Sequence, residues 1–480
     1  MRVTPWACLS LTLLALAGCL ADDEGDGPLA GPESDAGVPS VSAQRLPDPA
    51  QPDAFWDVIV GDHGAPEMHH IRSLHTGLEY GMTLAGWDPL TDKLPAGSVG
   101  TGWGAAGLWH QYACVAQFAG TGAIAIVDLT DPANLVVVSQ VDDPLVNGDC
   151  QFTADGNYLL AGAYLGPGPN PQVGEQPVCD RGCPGGGGIN VWDVKDKANP
   201  VHVLYTNTGE YHTLQLHTDP KTNQTFVIQA YSGHIYRFDP DGPVLIEVNT
   251  TTPMQHDMWI AKHPISGKQL LYTGDGGGFI IYDFDDPAAP MEIGRWNPED
   301  DELASKDTRG GCCGWHRHAT VDQLIDGKAI VVVAGEACNA GYTLPYFMVD
   351  VTDPAAPVAL SQWEIPGKPV STDAEHLCEM SPHEFAVYDG YVVTGNYHAG
   401  VWLFDIGSAE RLLDPVTLGY YVPAKEPVVE SLDPLAAQDL TFPWNPFVWG
   451  AFFDDRGYIL AGDFSSGIYL LEIPGVTQVP

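Results

Sequence analysis

One strand pair is written seven times along this chain. A β-rich run ends in a small, polar or acidic residue, a glycine-containing turn follows, and a second β-rich run closes on an acidic residue. The closing residues are Asp128, Asp193, Asp239, Asp283, Asp350, Asp405 and Glu472, spaced 44 to 67 residues apart. The second run reads Ala123-Ile-Ala-Ile-Val-Asp128 in the first copy and Gly278-Phe-Ile-Ile-Tyr-Asp283 in the fourth. Short apolar runs bounded by turn residues are the mark of buried strands. Another strand-like run precedes each copy, as at His212 to Leu216 or Asp257 to Ala261, and a turn and a further run follow most copies, as at Leu135 to Val141. Four strands per copy in seven copies predict an all-β, seven-bladed β-propeller with four-stranded blades, the longer spacings carrying insertions. Packed β-sandwiches would not repeat one motif so evenly.

Composition fits this architecture. The 54 Gly and 40 Pro supply many tight turns, and 44% hydrophobic against 17% charged residues gives enough apolar surface for a large core. A balance of 20 Lys+Arg against 62 Asp+Glu, net −42, excludes a nucleic-acid partner held through phosphates.

Residues 1–18 read as an export signal: Arg2, then the apolar run Leu9 to Leu16, too short for a permanent membrane span, then Ala17 and Gly18 before Cys19. This ending resembles the bacterial lipobox, which implies cleavage before Cys19 and its acylation. By the same resemblance, Leu20 rather than Asp after the cysteine implies export to the outer membrane, facing the periplasm or the cell surface. Residues 19–53, rich in Asp, Glu, Gly, Pro, Ala and Ser, read as a solvated tether, and 54–480 as the propeller. The run Phe55 to Val60 is expected to close the ring by pairing with the last blade.

The repeats also carry a family resemblance. Ile124-Ala-Ile-Val-Asp-Leu-Thr-Asp-Pro-Ala-Asn134, Asp283-Phe-Asp-Asp-Pro-Ala-Ala-Pro290 and Val349-Asp-Val-Thr-Asp-Pro-Ala-Ala-Pro357 resemble the LVIVD repeat of bacterial surface propellers. The resemblance spans roughly residues 105 to 475, and the copies at Asp239, Asp405 and Glu472 lack the full Asp-Pro-Ala-x-Pro tail. It implies a fold and an exported location, and no single chemistry.

Propeller geometry gathers the starts of first strands and the ends of second strands on one face. Blades four to six then bring His256, Asp257, Asp275, His316, His318, Glu336, His383 and Glu384 to one channel mouth. Imidazoles with carboxylates suit a divalent transition metal such as zinc, copper, iron or manganese, and a carboxylate can orient a ligand or act as a base. Polar residues at such positions also tie neighbouring blades together without any ligand. His383-Glu384 is no zincin motif, since no second His follows at that spacing. The group Met68 to His75, with His69, His70 and His75, reads as a ligand set or a solvated turn, the turn being the preferred reading.

After Cys8 leaves with the signal and Cys19 is acylated, Cys114, Cys150, Cys179, Cys183, Cys312, Cys313, Cys338 and Cys378 remain. In an oxidising compartment these read as disulfide candidates, first of all Cys179 with Cys183. Cys312-Cys313 beside His316 is also a thiolate and imidazole set suited to copper, with disulfides the preferred reading. Two functions follow: a tethered binding or scaffolding module for a protein or small molecule, or a metal-dependent oxidoreductase or hydrolase at the His and carboxylate mouth.

Overall fold

The computed structural model describes residues 78–90, 103–117, 123–142, 146–164, 188–208, 213–230, 232–250, 252, 257–274, 278–298, 315–336, 344–366, 381–397, 399–423, 447–463 and 466–477. Residues 1–18, Cys19, the tether, Phe55 to Val60 and the Met68 to His75 group lie outside them.

Seven antiparallel sheets form the ring; five follow chain order from the inner strand outward, and blades six and seven each take their outermost strand from earlier in the chain. Blade four shows the pattern: Met258–Lys262, Gln269–Gly274, Phe279–Asp283 and Met291–Trp296, each paired with the next. The third strands end where the repeat motif ends, at Asp128, Asp193, Asp239, Asp283, Asp350, Asp405 and Glu472.

Turn chemistry explains the Asp. In six blades the closing carboxylate accepts a hydrogen bond from the amide two residues on. Asp128 takes Thr130 at 2.8 Å, Asp193 Lys195 at 3.1 Å, Asp239 Asp241 at 3.1 Å, Asp283 Asp285 at 3.1 Å, Asp350 Thr352 at 2.9 Å and Asp405 Gly407 at 2.8 Å. Where the Asp-Pro or equivalent tail follows, a second carboxylate repeats the device: Asp131, Asp196, Asp286 and Asp353 accept from Ala133, Ala198, Ala288 and Ala355. Asp side chains that mimic a backbone turn in this way end the third strand and start the fourth at a fixed place.

The core lies between blades. Every residue of Gln269–Gly274 is buried, because alternate side chains of a strand point to opposite faces and both faces are covered. Leu270 and Tyr272 pack with Val331, Val333 and Phe347 of blade five. Leu271 packs with Phe226, Ile228 and Ile235 of blade three. Each such aliphatic side chain contributes roughly 1.5–3 kcal/mol of burial.

Ring closure differs from the expectation. Thr83–Asp88, not Phe55 to Val60, takes the outer position of the last blade, pairing with Gly467–Glu472 from Thr83↔Glu472 to Asp88↔Ile468. Just before it, Leu78–Tyr80 adds a fifth strand to blade six beside Val416–Val422. The chain turns from one blade to the next at Gly81, φ 67°, where a Cβ would lie 2.0 Å from the Leu418 carbonyl, so only glycine fits. Arg456 of blade seven, held by Asp454 at 2.7 Å, donates to the carbonyls of Leu129 at 2.8 Å and Thr130 at 3.2 Å in blade one.

A disulfide joins Cys114, in the second strand of blade one, to Cys150, in the first strand of blade two, with Cα atoms 6.2 Å apart. The other six candidates, Cys179 and Cys183 among them, lie outside the described residues. The Cys114–Cys150 bond closes a loop with a sequence separation of 36. The double variant C114A/C150A should therefore lose about 2–4 kcal/mol in guanidinium denaturation. Reductant should bring the wild type to the variant's midpoint, and coincident curves without reductant would contradict this.

Candidate metal centre

Buried polar residues of blades five, six and seven meet near the axis. The local cause is a set of bulges, which insert an extra residue and re-aim a side chain. In blade five the register slips between Trp315 and Arg317, leaving His316 as the inserted residue. In blade seven it slips between Val448 and Gly450, so Trp449 is inserted. The Trp449 carbonyl turns to blade six, accepting from the Glu384 amide at 3.2 Å and lying 2.7 Å from His383 Nδ1.

In that contact Nδ1 donates to the carbonyl, so Nε2 is the ring nitrogen turned to Glu336. Nε2 lies 3.8 Å from Glu336 Oε1, and His316 Nε2 lies 3.8 Å from Glu336 Oε2. The two imidazole centroids are 4.0 Å apart. His316, Glu336 and His383 are 0%, 3% and 1% exposed, so the carboxylate and both rings are shut away from solvent. Their ligand atoms all fall within 4.8 Å of one another. Ligands on ~2.1 Å bonds to a tetrahedral ion sit about 3.4 Å apart. The two imidazole-to-carboxylate separations, 3.8 Å each, exceed that by a few tenths of an ångström.

Asp257, His316 and Glu384 form a second trio at the same reach, with a different occupant. Arg317 Nη1 lies 3.0 Å from Asp257 and 2.9 Å from Glu384. Its guanidinium stacks near Trp259, 5.1 Å away, and Phe452, 5.7 Å away. A cation already lies against both carboxylates. Burial opposes the Arg317 charge, but Glu384 and Asp257 outweigh it and raise its pKa. Burial pushes Glu384 well above the usual carboxylate range, with Arg317 pulling it back and Asp257 adding to the rise. Asp149 of blade two feels the same group. Burial and then the Asp257 charge raise it to about 7, against the pull of Arg317.

Of the residues expected at the mouth, the structure therefore brings His316, Glu336 and His383 together and turns Asp257 and Glu384 onto Arg317. His318 joins neither set: its ring stacks 5.4 Å from Phe279, and burial, then Arg317, lower its pKa to about 3. Among the described residues its two ring nitrogens have no hydrogen-bond partner. His256 and Asp275 lie outside the described residues, as do Cys312 and Cys313. Two participants carry no linear motif. Arg317 is a buried cation between His316 and His318 in a chain of net charge −42. Tyr397 donates its hydroxyl to Glu336 Oε1; it follows the end of its blade's second strand as Glu336 does in blade five.

A family model, LVIVD repeat, matches residues 109–143, which cover most of blade one. No curated protein matches the sequence. Among solved structures, the periplasmic gluconolactonase PpgL of Pseudomonas aeruginosa is similar at 14% identity, covering 62% of this chain and 78% of its own, with a TM-score of 0.43. The N-terminal domain of Nup159 is similar at 8% identity, covering 82% and 95%, with a TM-score of 0.46.

Asp149 gives the centre a pH signature. Its carboxyl titrates near 7 in the folded chain and near ~3.9 when unfolded, so between these values the fold holds a proton the unfolded chain lacks. Its contribution to stability is present at low pH and declines as pH rises through that window. D149N should remove the decline: the wild-type minus variant difference in denaturation midpoint should fall from pH 4 to about 7. A pH-independent difference would rule this out.

Proposed function

We propose that this chain is a lipoprotein anchored at the outer membrane through Cys19, whose propeller binds one divalent transition-metal ion at His316, Glu336 and His383 and uses it in metal-dependent catalysis. The observation that carries the reading is the convergence of two imidazoles and one carboxylate in a buried pocket, with His383 Nδ1 engaged by the Trp449 carbonyl. A ligating histidine characteristically donates its other nitrogen to such a group.

Three protein ligands leave further coordination positions for water or substrate, as in catalytic zinc sites and two-histidine, one-carboxylate iron sites. Both classes of chemistry, hydrolytic and oxidative, are open to such an ion. When bound, it supplies a Lewis acid that polarises a substrate oxygen or acidifies a bound water. The chain's own residues do the rest. His316 and His383 would offer two imidazole nitrogens and Glu336 a carboxylate oxygen in a site shut off from bulk solvent, and Tyr397 donates to Glu336. Arg317 keeps Asp257 and Glu384 engaged, so these carboxylates do not compete for the ion. The net charge of −42 favours arrival of a cation. The lipid anchor rests on Ala17, Gly18 and Cys19 at the end of the apolar signal.

Elemental analysis of the full chain purified without chelators should find one transition-metal ion per chain, lost in H316A and H383A and retained in H318A. A wild type free of stoichiometric metal would sink the enzyme reading and leave the rigid propeller as a binding module. Separately, C19S should lose fatty-acid label and leave the membrane fraction. A C19S protein that stayed acylated and membrane-bound would overturn the anchor.

A further inference from the structure

Tyr397 sits where a tyrosine has no local reason to be. Its φ is 45°, in the left-handed region that a bulky side chain enters at a cost of about 1–3 kcal/mol. A turn alone would select glycine or asparagine there. The residue is nevertheless fully buried, and the surrounding structure pins it from several sides. Its amide donates to the Val448 carbonyl at 3.0 Å and its carbonyl accepts from the Val448 amide at 3.0 Å, tying blade six to blade seven. Its carbonyl also accepts from the Gly400 amide at 3.1 Å, closing the turn. The ring lies 4.3 Å from Phe447 and 4.9 Å from the His383 imidazole, centroid to centroid.

All this holds the hydroxyl against one atom, Glu336 Oε1. That oxygen faces His383, while Oε2 faces His316. We infer that Tyr397 is the positioning residue of the metal centre: its phenol donates to Oε1, fixes the plane of the carboxylate and leaves Oε2 as the oxygen presented to the ion. The inference rests on the metal reading above and adds to it a named residue and a preferred carboxylate oxygen. Hydrogen bonds to a ligating carboxylate set both its direction and its basicity, and their loss typically weakens metal binding about 10–100-fold. A purely structural tyrosine would need its ring; a positioning tyrosine needs its oxygen.

Y397F separates the two, since it keeps the ring and removes only the hydroxyl. Zn²⁺ and Co²⁺ affinities of full-length wild type and Y397F are compared by competition with a chromophoric chelator. Melting temperatures of both metal-free proteins are measured beside them. The expected result is about 10–100-fold weaker binding in Y397F, with shifted visible bands of the Co²⁺ form. Y397F and wild type binding Co²⁺ with equal affinity and identical spectra would overturn the positioning role while leaving the metal site intact, even if the metal-free variant melts earlier. A wild type that binds neither ion would remove the metal reading and this inference together. Should Y397F not fold, the wild type alone decides: Zn²⁺ should perturb tyrosine ultraviolet absorption in a difference spectrum, and a flat spectrum at saturation contradicts the role.

Discussion

Sheets arranged around one axis crowd their inner ends together, and every polar group placed there must be answered by another blade. Arg317 shows how strict this is. A buried guanidinium in blade five faces carboxylates from blades four and six, with a further one from blade two in its field. Removing the cation would leave buried anions uncompensated, an arrangement that costs several kcal/mol in other proteins, on the order of 3–5. The same crowding makes the Trp449 carbonyl of blade seven serve both His383 and Glu384 of blade six. The ring therefore holds its inner polar residues by mutual constraint, and the proposed metal ligands share that rigidity.

Around this centre the blades need little beyond alternation and turn chemistry. Strands buried on both faces lose the polar alternation of an ordinary sheet and become continuous apolar runs, as in Ile330–Gly335. In six blades the Asp that ends the third strand engages a turn amide. These turn carboxylates need no functional explanation: Asp128, Asp131, Asp283 and Asp286 are hydrogen-bonded turn formers.

The fold was legible in the sequence because its causes are local and repeated. The third-strand ends could be placed from Asp283 or Asp350, since the hydrogen bond that stops the strand involves a residue two positions away. Ring closure was not legible in the same way. Thr83–Asp88 is a short run whose partner lies at the far end of the chain, and nothing local distinguishes it from Phe55 to Val60. At the centre, strand ends predicted that His316, Glu336 and His383 would share a face. They could not show that a bulge sets His316 apart from His318, that Asp257 and Glu384 are engaged by Arg317, or that Tyr397 reaches Glu336. Those facts depend on register and on contacts between blades, which residue spacing does not encode.

The outcome is a division of labour between adjacent groups of one type. Three carboxylates are arranged around an arginine, and one, Glu336, lies with two imidazoles on the other side of His316. The second group is the one proposed to hold an ion. X-ray absorption at the metal edge of the full-length protein tests it most directly. Two imidazole ligands and a carboxylate oxygen at about 2.0–2.2 Å, with the imidazole signal reduced in H383A, is the predicted result for zinc. A spectrum dominated by sulfur ligands, or one that H383A leaves unchanged, would contradict it.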